Sequence, residues 1–304
     1  TEAIAQWLAR LERRGKSINT RKAYGCDVIQ CARHLATRDV HVVGVVSAHD
    51  LESWVDDMAI RLKPRSQARR VTAVRRFFDY CIQQRWCTAN PAADVRITFR
   101  MQRVMAPETA DLMRVIDAIP ESPADWMDVR DRALLRVSFD AALRAGGVAS
   151  LDIPTSGTDR AVNLNAGWVR VAQKGGGTTD PIAINEATVT AIRAWLEVRG
   201  QVARAGEVAL FVSRRGGRMD RRTMHQVCRR RGSAVGLTGL HIHLFRHRRI
   251  GDIVERLGVK VACAHAQHAH ESTTVNVYGA HAASVTRGLI RQHADLDRLA
   301  GAAA

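Results

Sequence analysis

The chain has 304 residues, with 46 Lys and Arg against 30 Asp and Glu, which gives a formal net charge of +16. Its 46% hydrophobic content excludes a disordered chain, and no apolar run approaches the roughly 18 residues that a transmembrane helix requires. The length predicts two domains, and the charge predicts a polyanionic partner, with nucleic acid the leading candidate.

The spread of the charge and the use of cysteine narrow this prediction. Residues 1–104 carry a net +9 and the remainder +7, whereas a basic protein of membrane surfaces concentrates its charge in one helix or tail. The six cysteines form no C-x-x-C pair, as expected of reduced thiols in a cytoplasmic protein. The first residues also lack the basic leader and apolar stretch of a signal peptide. We therefore expect a cytoplasmic protein.

Residues 1–97 are predicted to form a helical domain. Thr20, Ser47 and Ser66 are each followed by an apolar stripe at helical spacing, so each is predicted to cap a helix. Ser47 also has an acid, Asp50, three residues on, which predicts a capping box. The helices are expected to end before Asn90-Pro91, because the residue before proline resists helix. The stripes are Tyr24, Val28, Cys31 and Leu35; Leu51, Trp54, Val55 and Met58; and Val71, Val74, Phe78, Cys81 and Ile82.

Residues 98–106 have no helical period and are predicted to be an exposed linker that contacts phosphate through Arg100 and Arg103. A second domain is predicted for residues 107–304. Turn sequences separate three short predicted strands in it, which suggests an antiparallel sheet. The strands are predicted at 161–164, 168–171 and 180–184, and helices at 108–118, 125–141, 186–199, 221–235, 243–257, 260–267, 272–279 and 284–299. The predicted fold class is therefore mainly α with a small antiparallel β-sheet.

Three positions in the second domain suit phosphate chemistry. Arg144 follows an apolar helix, where an unpaired guanidinium would be costly to bury, although alone it also fits a cap or a surface arginine. Lys174 lies in a strand turn, in a chain where 41 of the 46 basic residues are Arg. An ammonium can release a proton and a guanidinium cannot, but a solvated turn lysine looks the same. His243 and Arg246 lie one helical turn apart, so they can act on one phosphate.

A metal site is the competing interpretation of the histidines further along. Cys263, His265, His268 and His270 are all possible zinc ligands. Their spacing fits no standard closed zinc motif, and His265 and His268 would share a helical face without the other two. We therefore predict no metal and no cofactor. Tyr278, one of three tyrosines, follows this segment.

Taken together, these residues resemble the tyrosine recombinases, the phage integrase family. The resemblance covers roughly residues 3–300, and it lies in the order of several short motifs. In the second domain Ala142-Leu143-Arg144 is similar to the family's G-L-R box, Gln173-Lys174-Gly175 to its hairpin lysine, His243-Leu244-Phe245-Arg246-His247 to its H-x-L-R-H box, and Gln267-His268 with Ser272-Thr273-Thr274 and Tyr278 to its closing segment. In the first domain Thr20, Tyr24, Arg75-Arg76-Phe77-Phe78 and Asn90-Pro91-Ala92 resemble the family's SAM-like core-binding domain.

The chain departs from the family pattern at a few positions. Gly147 stands three residues after Arg144, where the family usually has an acid. Gln267 replaces the glycine that usually precedes the third-box histidine. Three residues, rather than the more common two, separate Thr274 from Tyr278, and Arg248-Arg249 is unusually basic. None of these changes removes a catalytic side chain.

The resemblance implies a site-specific recombinase that cuts and rejoins DNA strands through a 3′-phosphotyrosyl intermediate. The implied catalytic residues are Tyr278 as nucleophile, Arg144, Lys174, His243, Arg246 and His268. The expected DNA-binding residues are Arg21, Lys22, Arg69, Arg70, Arg75, Arg76, Arg100 and Arg103. Two alternatives stay open: a type IB topoisomerase, and a catalytically silent DNA-binding protein on the same scaffold.

The implied partners are double-stranded DNA with a specific core site and further copies of the chain. A helix in the segment after His281 is expected to dock on a neighbouring copy in a tetramer. The family also implies a bacterial or phage-borne protein of the cytoplasm, associated with the nucleoid.

Overall fold

The computed structural model describes residues 2–98, 105–120, 125–158, 160–172 and 177–267. Internal contacts divide the chain into two units, Thr1–Gln102 and Arg103–Ala304. Each unit has its own apolar core. Helices dominate, and three short strands form one antiparallel sheet, which confirms the predicted fold class. Within the described residues, no helix is long and apolar enough to cross a membrane.

All the regular secondary structure in the described part of the first unit is helical. Its helices are α1 (Glu2–Arg13), α2 (Ile18–Ala36), α3 (Ala48–Arg61) and α4 (Pro64–Gln83). Helix α3 begins as predicted, since Ser47 Oγ accepts from the Asp50 amide at 3.2 Å and the Asp50 carboxylate accepts from the Ser47 amide at 3.0 Å. These two bonds form the expected capping box.

The other two predicted caps are wrong. Helix α2 begins earlier, because Ser17 is the cap and its Oγ accepts from the amide of Thr20 at 3.2 Å. Helix α4 begins at Pro64, whose missing N–H suits the first turn of a helix. Thr20 and Ser66 therefore lie inside their helices.

The apolar stripes of α2, α3 and α4 meet in the core of the first unit. Most of the predicted stripe residues are buried, including Trp54 and Phe78. Helix α1 contributes Trp7, which stacks on Tyr24 with ring centroids 5.9 Å apart and meets Phe77 edge-on at 5.5 Å. Aromatic pairs of this geometry stabilise beyond the area they bury.

The second unit surrounds its sheet with helices. These are α5 (Thr109–Asp117), α6 (Trp126–Asp140), α7 (Ala145–Ser150), α8 (Glu186–Arg199), α9 (Arg221–Ala234), α10 (Ile242–Leu257) and α11 (Val259–His265). The strands are β1 (Val162–Asn163), β2 (Trp168–Val169) and β3 (Ile182–Ala183), in the order β1-β2-β3. Val169 of β2 lies opposite Val162 of β1 and Ile182 of β3.

These elements agree closely with the sequence analysis. The bounds of α8 match the prediction to the residue, and each strand lies inside its predicted segment. The short helix α7 was not predicted. The helices predicted at 272–279 and 284–299 lie outside the described residues.

Helix α6 is the centre of the second unit. Leu134, Leu135 and Val137 are fully buried, so neighbouring elements cover it on several sides. Helix α8 packs against it, and there Trp195 donates its indole N–H to the carbonyl oxygen of Leu210 at 2.8 Å. The end of α6 is therefore carried on a rigid scaffold, and from it the chain leads into Arg144.

Candidate active site

Arg144 is positioned by a sharp turn at the end of α6. Ala142 is fully buried and has φ of 48°, a left-handed conformation that an L-residue adopts at a cost. Arg144 is the cap residue of α7, with extended backbone and an exposed side chain. The turn thus places a guanidinium at the surface, beside a buried helix end. In this exposed position Arg144 is available to an anion.

Arg246 is anchored to the same turn. Its side chain comes from the first half of α10 and is 6% exposed. It donates through Nη1 to the carbonyl oxygen of Ala142 and through Nη2 to that of Ala266 at 2.8 Å. The rigid guanidinium fork donates from two different nitrogens, so it can bridge two acceptors that lie apart. Arg246 thereby joins the end of α6 to the end of α11.

His243 lies one turn before Arg246 on α10 and keeps an exposed edge. Partial burial of the ring lowers the pKa of His243, and the positive charges of Arg246, His241 and Arg144 lower it further. Both arginines therefore act electrostatically on this imidazole. The structure brings together three of the six predicted catalytic side chains.

The remaining three lie outside the described residues, namely Lys174, His268 and Tyr278. The flanks of the Lys174 turn are described: Ala172 and Thr178 face each other in an antiparallel bridge, and the amide of Thr179 donates to the carbonyl of Val171 at 2.9 Å. The described segments on either side of Lys174 thus run antiparallel, as the sequence predicted.

A basic face of α9 was missed by the sequence analysis. An open depression of about 730 Å3 is lined by Asp220, Arg221, Arg222, His225, Gln226 and Arg229. A Cβ built on Gly146 would lie 4.0 Å from Cδ of Arg221, so this face adjoins the turn that carries Arg144. The signal was present in the sequence, because residues 221, 225 and 229 are four apart and share a helical face.

His225 links that face to the histidines before α10. Its ring lies 6.1 Å from the ring of His241, centroid to centroid. Burial lowers the pKa of His241, and the charges of His225 and Arg229 add to the effect. Among the described residues the buried Nδ1 of His225 has no hydrogen-bond partner. The imidazole of His243 on α10 is thus followed by further imidazole and guanidinium side chains, which belong to α9.

The eight basic residues predicted to bind DNA have different surroundings. Arg69 donates to the buried carboxylate of Asp27 at 2.9 Å, and Arg70 lines an open depression of about 620 Å3 with Arg33 and Arg61. Arg75 donates hydrogen bonds to the carbonyl oxygens of Ala92 and Val95, at 3.0 and 2.7 Å respectively. Arg21 pairs with Glu12 at 2.7 Å, Arg76 donates to the Tyr24 hydroxyl at 2.6 Å, and Lys22 is exposed. Arg100 and Arg103 lie outside the described residues.

The donor set is suited to an anion. Within the described ranges, no group of three or more His, Cys, Asp or Glu side chains could hold a metal ion. Of the four possible zinc ligands in the sequence, His268 and His270 are not described, while Cys263 is buried and His265 Nε2 lies 2.9 Å from the carbonyl oxygen of Asp140. The described site offers guanidinium and imidazole groups to a phosphate.

Comparison with protein families shows which family the chain belongs to. Residues 105–284 match the model of the "Phage integrase family", which is more than half of the chain. The chain belongs to the tyrosine recombinase, or phage integrase, family. Residues 4–85 match the "Phage integrase, N-terminal SAM-like domain". The recognition made from the sequence motifs is therefore confirmed.

A curated relative supports the assignment. This recombinase is 30% identical over 218 residues to "Tyrosine recombinase XerC" of Vibrio parahaemolyticus. The alignment covers 70% of this chain and 66% of the relative. The aligned part is thus slightly under two thirds of the relative's length. Both the catalytic and the N-terminal family models match this chain, which confirms its membership of the tyrosine recombinase family.

Solved structures share the fold at low sequence identity. A lambda integrase dimer bound to a COC′ core site superposes with a TM-score of 0.68 at 16% identity, covering 91% of this chain and 94% of that one. A lambda integrase tetramer bound to a Holliday junction superposes with a TM-score of 0.65 at 15% identity. The match covers 89% of this chain and 77% of that one. Lambda integrase, which shares this fold, is thus bound to DNA as a dimer in one structure and as a tetramer in the other.

Proposed function

We propose that this recombinase cuts and rejoins DNA at a specific core site through a 3′-phosphotyrosyl intermediate. The supporting observation is the convergence of Arg144, His243 and Arg246. Both guanidinium charges act on the imidazole of His243, and Arg246 is bonded to the turn that carries Arg144. Two guanidinium charges that act on one imidazole match the needs of a phosphoryl transfer, in which negative charge spreads over the phosphate oxygens.

Tyr278 is the proposed nucleophile. Its hydroxyl oxygen attacks the scissile phosphorus, a tyrosine–phosphorus bond forms, and the bond from phosphorus to the 5′-oxygen breaks. The phosphodiester energy is kept in the new bond, so rejoining needs only the reverse attack by the 5′-hydroxyl. Arg144 and Arg246 bind the non-bridging oxygens and offset their charge, a task that metal ions perform in other enzymes. This scheme needs no metal or cofactor.

Proton transfer falls to the remaining residues. Lys174 is proposed to protonate the departing 5′-oxygen, because an ammonium releases a proton far more readily than a guanidinium. His243 has a lowered pKa, so it is neutral at pH 7 and can accept the proton of the tyrosine hydroxyl. His268 is proposed to donate a hydrogen bond to the phosphate.

DNA contacts are proposed for both units, with the domains at 1–97 and 107–304 and the linker at 98–106. The eight basic residues named in the sequence analysis are proposed contacts, and all of them except Arg103 belong to the first unit. Arg75 is the least available of them. In the second unit we add the exposed arginines of α9, Arg221, Arg222 and Arg229. Replacing one of these three α9 arginines with a neutral residue should reduce the magnitude of the slope of the log binding constant against log salt concentration by about 1. Arg114→Gln should leave this slope unchanged, because Asp111 already pairs with Arg114 at 3.2 Å.

The assembly is proposed to be a tetramer on DNA, joined through the helix expected after His281. The lambda integrase structures on a core site and on a Holliday junction support this by homology of fold alone. The setting is proposed to be the bacterial cytoplasm, since the curated relatives come from Vibrio species.

A nicked suicide substrate tests the proposal. Cleavage near the nick releases a short strand, so the covalent complex accumulates. The parent chain should give an adduct that survives denaturation, and Tyr278→Phe should give none. An adduct and relaxation on DNA of any sequence would instead indicate a topoisomerase. Tight, site-specific binding without an adduct would indicate a silent DNA-binding protein.

A further inference from the structure

A buried carboxylate lies next to the turn that carries Arg144. Asp140 is the last residue of α6 and is 2% exposed. Its Oδ1 accepts from Nη2 of Arg249 at 3.2 Å, and its Oδ2 accepts from the backbone amide of Asn185. A buried charge is costly unless it is paired and hydrogen-bonded, and here both conditions are met.

The backbone of the same residue is held from another side. The carbonyl oxygen of Asp140 lies 2.9 Å from Nε2 of His265, near the end of α11. Asp140 therefore connects the end of α6 with the start of α8, with α10 and with α11. His265 directly precedes Ala266, whose carbonyl oxygen accepts from Arg246.

Helix α10 contacts the end of α6 through two arginines one turn apart. Arg246 donates to the carbonyl oxygen of Ala142, and Arg249 to the carboxylate of Asp140. The guanidinium of Arg249 also lies 5.5 Å from the centroid of the Phe139 ring, which limits its freedom. Contacts at residues 140 and 142 fix the segment that leads directly to Arg144.

Position 147 carries no carboxylate in this chain. A Cβ built on Gly147 would make ordinary contacts with Leu143 at 3.6 Å and with Val171 at 3.7 Å. A side chain would therefore fit at this position, although the chain has no acid there. The buried carboxylate beside the turn belongs to Asp140, on the other side of Arg144 in the sequence.

We propose that Asp140 and Arg249 form a positioning pair that holds Arg246 and the Arg144 turn in the geometry needed to bind the scissile phosphate. The inference rests on the proposed function, in which both arginines bind that phosphate. Neither member of the pair touches the reacting atoms. Their effect on the reaction passes through the placement of the two guanidinium groups.

Asp140→Asn tests the pair without DNA. Asparagine keeps the shape and can still accept from the Asn185 amide, but it loses the charge opposite Arg249. Removing a negative charge would by itself lower the pKa of a nearby histidine. The proposal predicts the opposite for His243: its pKa rises towards its ordinary value, because Arg246 is no longer held beside it. An NMR titration of the full chain with 13C-labelled histidine measures this, with His243 assigned from His243→Gln.

Two further variants complete the first measurement. Arg249→Lys keeps the charge but loses the fork, so it should also raise the pKa of His243, and it serves if Asp140→Asn does not fold. Asp252→Asn is the matched control, because Asp252 accepts from Arg248 at 2.7 Å on the same helix. The control should leave the pKa of His243 unchanged.

Cleavage provides the second measurement. At saturating nicked substrate, Asp140→Asn and Arg249→Lys should each slow single-turnover cleavage by about 10- to 100-fold, as expected when reacting groups are displaced by about 1 Å. The double variant should be no slower than the slower single variant, because the two residues act as a unit. Asp252→Asn should stay within about twofold of the parent chain.

The outcomes separate the two proposals. An unchanged or lower pKa of His243 in Asp140→Asn, or cleavage at the parental rate, would show that the pair only stabilises the fold. If the pKa rises as expected while the parent chain forms no adduct, the positioning pair stands and the proposed phosphotyrosyl chemistry fails.

Discussion

Arg246 donates from Nη2 to the carbonyl oxygen of Ala266 at 2.8 Å, two residues before His268 in the sequence. The same guanidinium holds the carbonyl oxygen of Ala142, two residues before Arg144. One buried side chain therefore connects the turn that carries Arg144 to the segment that leads towards His268 and Tyr278.

The buried Asp131 is expected to be a major source of stability in the second unit. It is fully buried in α6 and accepts from Arg130 at 2.8 Å, from Arg231 at 2.9 Å and from Arg230. Asp131→Ala leaves the buried Arg130 without its carboxylate, so the free energy of unfolding should fall by about 3–5 kcal/mol. Denaturation in urea, followed by circular dichroism, measures the change.

The control for that substitution is Asp117→Ala. Asp117 pairs with Arg136 at 3.0 Å, but its side chain is 56% exposed. Exposed pairs contribute little, so this change should cost no more than about 1 kcal/mol. Equal losses at positions 131 and 117 would contradict the importance given to burial.

The backbone conformation of Gln267 is expected to lower the free energy of unfolding. It has φ of 52°, a left-handed conformation, at the position where the family usually has glycine. Gln267→Gly should raise the free energy of unfolding by about 0.5–1 kcal/mol, because glycine relieves the strain and only part of the gain is lost to chain entropy. Thermal unfolding detects this as a higher Tm.

The same substitution inside a helix should have the opposite sign. Gln226 is exposed on α9, and Gln226→Gly should lower the free energy of unfolding by about 1 kcal/mol. A loss of stability at both positions would mean that the left-handed conformation of Gln267 carries no strain.

The second unit should lose stability in mild acid. Burial is the first cause of a lowered pKa at His241, His243 and His265, each from an ordinary value of 6.5. The unfolded chain therefore binds more protons than the folded one as the pH falls below about 6.5. The free energy of unfolding should be higher at pH 7.5 than at pH 5.5, and urea titrations at the two values measure it.

His265→Gln should reduce this pH dependence. The amide nitrogen of glutamine reaches about as far as Nε2 of histidine, so it can still donate to the carbonyl oxygen of Asp140, but it does not titrate. A stability that is constant between pH 7.5 and 5.5, or that rises in acid, would show that the histidines are not held neutral by the fold.

Lys174→Arg keeps the charge and removes the proton donor. Cleavage should slow by about 10²-fold or more, the usual contribution of general acid catalysis. A substrate with sulfur in place of the 5′-oxygen should restore the rate, because a thiolate leaves without a proton. Full-rate cleavage of ordinary DNA by Lys174→Arg would disprove the general-acid role.

Patterns close together in the sequence predicted much of this fold. Periodicity located α8 to the residue, and the turn residues located the three strands. Two helix starts were wrong because a second capping residue lay within the same turn, as at Ser17 and Thr20, or because proline set the start, as at Pro64. Such competition is settled by backbone geometry, which local composition does not specify.

The parts of the site that escaped prediction depend on contacts between distant residues. Asp140 and Arg249 are 109 positions apart, and no local pattern connects them. The basic face of α9 was overlooked for another reason: in a chain with 46 basic residues, one more group of arginines carries little information. Its spacing, four residues from Arg221 to His225 and four more to Arg229, is the signal that could have revealed it.

The central claim is the covalent link to Tyr278, and mapping the site of attachment tests it most directly. The adduct formed with the suicide substrate is digested with nuclease and trypsin, and the peptide that carries the nucleotide remnant is sequenced by mass spectrometry. The account predicts the remnant on Tyr278, in the peptide of residues 261–287, which contains no other tyrosine. A remnant on Tyr24, on Tyr80 or on a residue other than tyrosine would contradict it.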